Sequence, residues 1–347
     1  MQSTQNENPY SRLLALQRMG VVQNYESIRS KTVLIVGIGG VGSVTAEMLS
    51  RCGIGKMILF DYDTVETANM NRLFYLPSQC GLSKVVAAKA TLQTINPDVQ
   101  YACFNCDITS HIHLSFVLRL LYITGWIRFA LFLHFNGISL ERSGGSCPLV
   151  ARMTINSICT HLNQVWMESG VSEDALSGHI QLMLPGRTAC FQCLPPLAVA
   201  SGIDEKTIRR DGVCAASLPT TIGIIAGLLS HNALKYLLAF GQISYYQGFM
   251  SQTNFFPSTI LYPNPECPNP DCHRLQQVFR RKWKPEEWKP VIIPVSEDEN
   301  EWGITYPMFS LHYRIPLRYH RRKWFYRKMQ SDPEPEFTES ISGRFDG

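Results

Sequence analysis

Apolar runs of strand length alternate with segments of helical spacing in the first third of the chain. Residues 32–36, 57–60 and 101–104 are short and rich in β-branched or aromatic side chains, which favours buried strands. Residues 43–52 and 84–95, which lie between these runs, have the apolar spacing of helices. This alternation predicts an α/β fold with a doubly wound, Rossmann-like parallel sheet.

The alternation is interrupted in the middle of the chain and then returns. Residues 112–123 are compatible with a helix and residues 126–135 with a strand, but the stretch 107–150 has no clean pattern. After this stretch the predicted order is a helix, a strand and a long buried helix, over residues 151–163, 180–184 and 218–240. Beyond Pro263 proline and charged residues become frequent, which predicts an extended segment.

Composition and charge limit the class of protein. The 347 residues are 45% hydrophobic and 17% charged, as expected for a soluble globular protein with a sizeable core. The net charge of +4 is too small to indicate nucleic-acid binding. Residues 114–133 are strongly apolar, but Arg119 and Arg128 lie inside this stretch, so we expect no transmembrane span. The N-terminus carries no secretory signal, so we expect reduced cysteines.

The first predicted strand runs into a glycine-rich turn that precedes the first helix. The turn has the sequence GIGGVG, with glycines at Gly37, Gly39, Gly40 and Gly42. Glycines let the backbone approach a phosphate, and the helix N-terminus supplies N–H donors. Asp61 ends the next strand and is placed to accept hydrogen bonds from ribose hydroxyls. This pattern predicts a nucleotide site; the alternative is a tight turn without a ligand.

Three polar residues after this turn narrow the choice of nucleotide. Asn69 and Arg72 lie in the run NMNRLF, and Lys84 begins the next predicted helix. A dinucleotide oxidoreductase has no evident need for both cations. Attack on the α-phosphate of a triphosphate does need them, because negative charge builds on the phosphates. Each of these residues taken singly could also be a solvated surface residue.

Four of the eleven cysteines form two closely spaced pairs. Cys190 and Cys193 form a C-x-x-C pair, and Cys267 and Cys272 form a wider one. Four thiolates in two short loops suit a closed tetrahedral zinc site, which would be structural because no ligand position is left for water. A redox-active pair and unrelated buried cysteines are the alternatives.

A further cysteine stands alone in the run DGVCAASLPTT. Cys214 shortly precedes the long predicted helix, and a helix N-terminus lowers the pKa of a nearby thiol. Its neighbours are small, so a bulky acyl group could approach it. Residue chemistry alone leaves a structural cysteine and a nucleophile equally open.

Together these residues closely resemble the ubiquitin-like modifier-activating enzymes of the ThiF/MoeB-like superfamily. The resemblance runs almost continuously over residues 8–105 and from residue 151 to about 304. It includes VGIGGVGSVTAEMLSRCGIGK, NMNRLF, GLSK, ARMTIN, WMESGVSEDALSGHIQL and DGVCAASLPTT. The resemblance implies that residues 31–292 form an adenylation domain with a catalytic cysteine, after an N-terminal arm and helix in residues 1–30.

The resemblance also implies an activity and its partners. With ATP and magnesium, the C-terminal glycine of the ubiquitin-fold modifier would be adenylated, and the acyl group would pass to Cys214 as a thioester and then to a conjugating enzyme. Arg72 and Lys84 would act on the phosphates, and Arg12 would reach the site of the partner subunit in a homodimer. The glycine loop would hold the nucleotide together with Asp61, Asn69 and Asp107. Zinc would be bound by Cys190, Cys193, Cys267 and Cys272.

One departure from the family pattern lies in the middle of the chain. The family has an Asp-Asn pair shortly before the counterpart of Ala151, and that Asp binds magnesium. Here residues 144–150 carry no carboxylate, and Asp107 stands where close relatives have Asn. We therefore expect residues 107–150 to be a replacement segment that lacks the magnesium ligand, at a cost to transition-state stabilisation.

The other departure is the C-terminal part, where we expect residues 293–347 to form a flexible tail. Residues 301–304 resemble the family's short linear motif, in which Trp302 and Ile304 would bind ubiquitin-like proteins. The basic and aromatic sequence after residue 304 is unrelated to the family. The family's expected location is the cytoplasm, with the nucleus and the surface of the endoplasmic reticulum as further locations.

Three functions follow as hypotheses. The first is an active modifier-activating enzyme. The second is an adenylation-impaired protein that binds nucleotide and modifier. The third is a nicotinamide-dependent oxidoreductase, which would leave Arg72, Lys84 and Cys214 without a role.

Overall fold

The computed structural model describes residues 8–108, 129–132, 148–194 and 216–282. These residues all belong to one compact unit, Met1–Ile304. The predicted helix over 112–123, Cys214 and the predicted tail with Trp302 and Ile304 lie outside the described residues.

An eight-stranded sheet forms the centre of the described structure. Its strands in chain order are β1 Thr32–Val36, β2 Lys56–Phe60, β3 Gln100–Phe104, β4 Phe129–Phe132, β5 Trp166–Val171, β6 Ser177–Met183, β7 Tyr246–Met250 and β8 Ser258–Thr259. Their spatial order is β3-β2-β1-β4-β5-β6-β7-β8. Strands β1 to β5 pair in parallel, and β6 to β8 add an antiparallel extension. The predicted doubly wound parallel sheet is confirmed.

Helices cover both faces of this sheet. They are α1 Ser11–Arg18, α2 Gly40–Arg51, α3 Lys84–Ile95, α4 Pro148–His161, α5 Pro219–Leu238 and α6 Pro270–Lys282, with short 3-10 helices at Tyr25–Ser30, Thr67–Asn71 and Pro77–Gln79. Alternate residues of β1 point to opposite faces. Val33 and Ile35 join a core that includes residues of α2, α3 and α5, and Leu34 and Val36 join one that includes residues of α4.

The irregular segment 107–150 contributes a strand to the centre of the sheet. Strand β4 lies inside the strand predicted over 126–135 and pairs with β1 on one side and β5 on the other. Its last residue, Phe132, is in register with Val36 and Glu168. The segment therefore completes the sheet even though its sequence departs from the family pattern.

The prediction of an extended segment after Pro263 is wrong for residues 270–282, which form α6. Proline is favoured at the first position of a helix, and Asp271 in the first turn stabilises the positive end of the helix dipole. Cys272 and Gln276, one turn apart, are both buried. Within residues 270–282, the charged side chains of Arg274, Arg280 and Arg281 therefore lie on the solvent face of a helix.

Helix α5 is the only helix among the described residues that is long and apolar enough to cross a membrane. Just over half of its most apolar window, 56%, is buried inside the protein. Its buried residues belong to the same core as those of α2, β5 and β6. The apolar character of α5 is therefore accounted for by its place in this core.

Candidate functional site

The glycine loop joins β1 to α2 at the carboxyl edge of the sheet. Gly37 has a φ of +88°, a conformation that favours glycine, and its N–H donates to the Phe60 carbonyl oxygen at 2.8 Å. Ser43 Oγ donates to the Gly39 carbonyl oxygen at 2.7 Å, which fixes the first turn of α2. Within the described residues, the N–H groups of Gly39 and Gly40 have no protein acceptor. They are therefore available to a phosphate.

Asp61 lies directly behind this loop. Its Oδ2 accepts a hydrogen bond from the Ile38 N–H at 2.6 Å, and its Oδ1 accepts one from the Asp63 N–H at 2.9 Å. Burial raises the pKa of Asp61, and the charge of Lys84 acts in the opposite direction. Asp61 thus shapes the glycine loop; its expected contact with ribose stays a prediction.

Two cations meet the acidic end of β2. Lys84, the first residue of α3, is buried, and its Nζ lies 2.7 Å from Asp63 Oδ2. Arg72 Nε is buried and has no hydrogen-bond partner among the described residues. Burial lowers the pKa of Arg72, and the charges of Glu66 and Asp63 raise it. Arg72 therefore offers a buried donor to an anion, while Lys84 is held in place by Asp63.

Asn69 and Asp107 flank this cluster. Asn69 is buried in the 3-10 helix Thr67–Asn71, and its Oδ1 accepts a hydrogen bond from the Glu66 N–H at 3.4 Å. Asp107 is half-buried and follows β3. Burial raises the pKa of Tyr62 to about 12, with further contributions from the charges of Asp63 and Asp107. Asp107 therefore lies on the same acidic edge as Asp63.

Arg12 is exposed near the beginning of α1. Its expected role in the site of a partner subunit stays a prediction.

The four paired cysteines converge into one buried cluster. The sulfur atoms of Cys190, Cys193, Cys267 and Cys272 all lie within 4.8 Å of one another. The Sγ atoms of Cys190 and Cys267 are 3.7 Å apart, and those of Cys193 and Cys272 are 3.6 Å apart. A tetrahedral zinc with Zn–S bonds of about 2.3 Å places its sulfurs about 3.8 Å apart, whereas a disulfide needs about 2.05 Å. The cluster fits zinc.

Polar side chains around the cysteines support this arrangement. Asn156 Oδ1 accepts a hydrogen bond from the Phe191 N–H at 2.9 Å, and Gln276 Nε2 lies 3.5 Å from Cys272 Sγ. Hydrogen bonds from residues that are not ligands themselves hold metal ligands in position. The cluster links the segment after Ala189 to the beginning of α6.

The segment that contains Cys214 returns to the described structure at Ala216. The Ala216 N–H donates to the Glu173 carbonyl oxygen at 2.8 Å. The side-chain amide of Asn71 donates to the Ser217 carbonyl oxygen at 3.4 Å. Three positions beyond Cys214, the chain is thus attached to the loop that carries Arg72.

Sequence reasoning missed two buried groups near this edge. Tyr75 donates its hydroxyl hydrogen to the Ile38 carbonyl oxygen at 2.6 Å. Glu168 on β5 is buried between Arg152 and His179, with its oxygens 3.3 Å from Arg152 Nη2 and 2.9 Å from His179 Nε2. The sequence did carry a signal for Glu168, because it is the only charged residue in the run WMESGV and a buried carboxylate needs a partner.

Comparison with known proteins decides the family. The profile of the ThiF family matches residues 10–274. Ubiquitin-like modifier-activating enzyme 5 of Xenopus laevis is 52% identical over 312 residues, which cover 86% of this chain and 75% of the relative. This chain belongs to the ThiF family, among its ubiquitin-like modifier-activating enzymes. The enzyme of the same name from Branchiostoma floridae is 54% identical over 306 residues, which cover 86% of this chain and 73% of the relative.

Solved structures of more distant proteins share the fold. Escherichia coli MccB with SeMet MccA has a TM-score of 0.61 and 21% identity, over 76% of this chain and 74% of that chain. MccB with ATP has a TM-score of 0.57 and 20% identity, over 78% and 76%. The resemblance drawn from NMNRLF and the other motifs is confirmed, and this ThiF-family chain is therefore an enzyme of ubiquitin-like modifier activation by adenylation.

Proposed function

We propose that this chain activates the ubiquitin-fold modifier in two chemical steps and passes it to a conjugating enzyme. The observation that carries the proposal is the glycine loop together with two cations, buried Lys84 paired with Asp63 and half-buried Arg72 with a buried Nε that has no partner among the described residues. This arrangement suits a triphosphate at which negative charge increases during reaction. The names of the relatives support a ubiquitin-like modifier as the second substrate.

In the first step, a carboxylate oxygen of the modifier's C-terminal glycine attacks the α-phosphate of ATP, and pyrophosphate leaves. The amides of Gly39 and Gly40 face the phosphates, and Arg72 and Lys84 offset the charge that moves to the leaving group. The roles of Asp61, Asn69 and Asp107 are to hold the nucleoside part and the adjacent phosphate. Magnesium, when bound with ATP, supplies further charge neutralisation.

The residues described here do not supply the family's magnesium ligand. That Asp would follow β4, and the carboxylates described at this edge besides Asp61 are Asp63 and Asp107, which follow β2 and β3. Asp63 already binds Lys84. We therefore assign no step to magnesium.

In the second step, the Cys214 thiolate attacks the acyl carbonyl, a thioester forms, and AMP leaves. The bond between Asn71 and Ser217 supports this role, because it attaches the residue three positions after Cys214 to the neighbour of Arg72. Transfer of the thioester to the conjugating enzyme exchanges one cysteine for another and needs no further energy source.

Further parts of the proposal concern assembly and location. Arg12 reaches the site of a second copy of this chain in a homodimer, and its exposure is compatible with this role. The cysteine cluster holds a structural zinc. Trp302 and Ile304 bind ubiquitin-like proteins from the flexible tail 293–347, and the enzyme works in the cytoplasm, the nucleus or at the surface of the endoplasmic reticulum.

A second candidate function follows from the replaced segment 107–150. Without the family's Asp, the chain would bind ATP and modifier but adenylate slowly, and so act as a binding protein. A nicotinamide oxidoreductase is not supported, because the chain belongs to a family of adenylating enzymes and Arg72 and Lys84 would have no role.

A non-reducing gel with purified chain, ATP, magnesium and ubiquitin-fold modifier separates the two functions. We expect a thiol-sensitive band that requires ATP, is lost in Cys214→Ser and is retained in Cys80→Ser, a matched change at an exposed cysteine. Absence of the band together with measurable ATP binding would establish the binding protein instead. Absence of both would refute the nucleotide site.

A further inference from the structure

The hydroxyl of Tyr75 is bonded to the glycine loop from inside the protein. Tyr75 is buried, and its hydroxyl oxygen lies 2.6 Å from the Ile38 carbonyl oxygen. The N–H of Ile38 donates to Asp61 Oδ2. Ile38 lies between Gly37 and Gly39, and both of its polar backbone groups are thus bonded to buried side chains.

This contact determines where the next amide points. In a planar trans peptide the C=O and the following N–H point in opposite directions. A carbonyl of Ile38 that is directed at buried Tyr75 therefore turns the Gly39 N–H away from the protein interior. That N–H has no protein acceptor among the described residues.

The backbone before Tyr75 is in an unusual conformation. Phe74 has a φ of +103°, which is costly for a bulky side chain and is found where the surrounding structure requires it. The rings of Phe74 and Tyr75 meet edge to face with centroids 5.2 Å apart. The strained residue lies between Arg72, which belongs to the proposed phosphate site, and Tyr75.

The phenol remains a donor throughout the working range of pH. Burial raises the pKa of Tyr75 far above its ordinary value, and the charge of Asp61 adds to this effect. The hydroxyl therefore keeps its hydrogen at neutral and alkaline pH, and the bond to Ile38 does not depend on pH there.

We infer that Tyr75 is a positioning residue for the nucleotide: its hydroxyl fixes the Ile38–Gly39 peptide so that the Gly39 N–H faces a phosphate. The inference rests on the proposed function for the identity of the ligand. It predicts that Tyr75 contributes to nucleotide binding without touching the nucleotide.

The experiment compares Tyr75→Phe with Tyr25→Phe. Tyr25 is also buried and also donates to a backbone carbonyl oxygen, that of Cys52, at 3.0 Å. Each change removes one hydroxyl that donates to the backbone, and at Tyr75 also a long contact of 3.5 Å to the Lys84 carbonyl oxygen, so we expect similar small losses of Tm. Calorimetric titration with ATP should give a Kd about tenfold higher for Tyr75→Phe and an unchanged Kd for Tyr25→Phe. In pyrophosphate exchange, the KM for ATP should rise by the same factor while kcat changes less than about twofold.

A second measurement uses the protein without nucleotide. In protein labelled with [15N]glycine, Tyr75→Phe should shift the Gly39 amide resonance, and Tyr25→Phe should leave it in place. A Tyr75→Phe variant with wild-type ATP affinity and an unshifted Gly39 amide would overturn the inference. If wild-type protein fails to bind ATP, the proposed function fails, and the Gly39 resonance still decides whether Tyr75 sets the loop.

Discussion

The side-chain amide of Asn71 donates to the carbonyl oxygen of Ser217, with 3.4 Å between Nδ2 and O. This contact joins two parts of the chain that are 146 residues apart, the loop before Arg72 and the residue two positions before α5. Ser217 follows Cys214 by three positions in the sequence. The residue before Arg72 and the residue that leads into α5 are therefore linked by one side chain.

We predict that Asn71→Asp separates the two chemical steps. A carboxylate cannot donate to the Ser217 carbonyl and repels it, so the end of the cysteine segment loses its attachment. We expect the thioester yield to fall about three- to tenfold while pyrophosphate exchange stays within about twofold of wild type. Gel analysis of the thioester and a pyrophosphate-exchange assay on the same preparations measure the two steps.

The matched control is Asn163→Asp, which introduces the same charge at an exposed position between α4 and β5. It should change neither step. Equal losses of both steps in Asn71→Asp would show that Asn71 acts on the nucleotide site as a whole.

Lys84→Ala should nearly abolish adenylation. The Lys84 ammonium is buried beside the glycine loop and is oriented by Asp63. Loss of such a preorganised cation costs a factor of about 100 to 1000 in rate. Pyrophosphate exchange measures this loss, and Lys89→Ala, on the same helix and less buried, provides the control. A Lys84→Ala enzyme with more than about a tenth of the wild-type rate would exclude Lys84 from the reaction.

One zinc per chain should be found by elemental analysis, and its removal should destabilise the protein. Cys193→Ser should lose the metal and lower the free energy of unfolding by several kcal/mol, part of the roughly 10 kcal/mol that a structural zinc contributes in small domains. Cys80→Ser, at an exposed cysteine, should keep both metal and stability. Metal-free wild type that unfolds at the same temperature as metal-loaded protein would contradict a structural zinc.

Two glycine substitutions should have opposite effects on stability. Gly53 has a φ of +79°, and a Cβ there would lie 2.7 Å from Tyr10 Cε1, so we expect Gly53→Ala to cost about 1–3 kcal/mol. At Gly227, inside α5, a Cβ would meet no described atom within 4 Å, so Gly227→Ala should stabilise by up to about 1 kcal/mol. Urea denaturation of the two variants checks both values. A Gly53→Ala variant as stable as wild type would contradict both the strain at this φ and the close approach of Tyr10.

The sequence predicted those parts of the fold whose signal is periodic or closely spaced. Strands β1 to β3 were located because their apolar runs are uninterrupted, and helix α3 because its apolar residues have helical spacing. The four cysteines of the cluster were located because the spacing within each pair is short. Strand β5 was not predicted, because Glu168 interrupts its apolar run. Its burial becomes explicable only from Arg152 and His179, which come from other elements.

Contacts between loops left no periodic or closely spaced pattern in the sequence. The Tyr75 hydroxyl reaches a backbone carbonyl 37 residues away, and a backbone acceptor leaves no trace in the sequence. Helix α6 was mistaken for extended chain because its charged face dominates the composition, while its buried face is defined by Cys272 and Gln276. The sequence located Lys84 correctly at the beginning of a helix, because the predicted helix starts at this residue. The role of Lys84 at the phosphates stays a prediction.

Strand β4 has partners on both of its edges, so its backbone requirements are met by β1 and β5 whatever its side chains are. The sheet can therefore accept a different four-residue strand between these neighbours without losing its order. The order of the sheet in this chain therefore does not depend on the sequence of residues 129–132 matching that of its relatives.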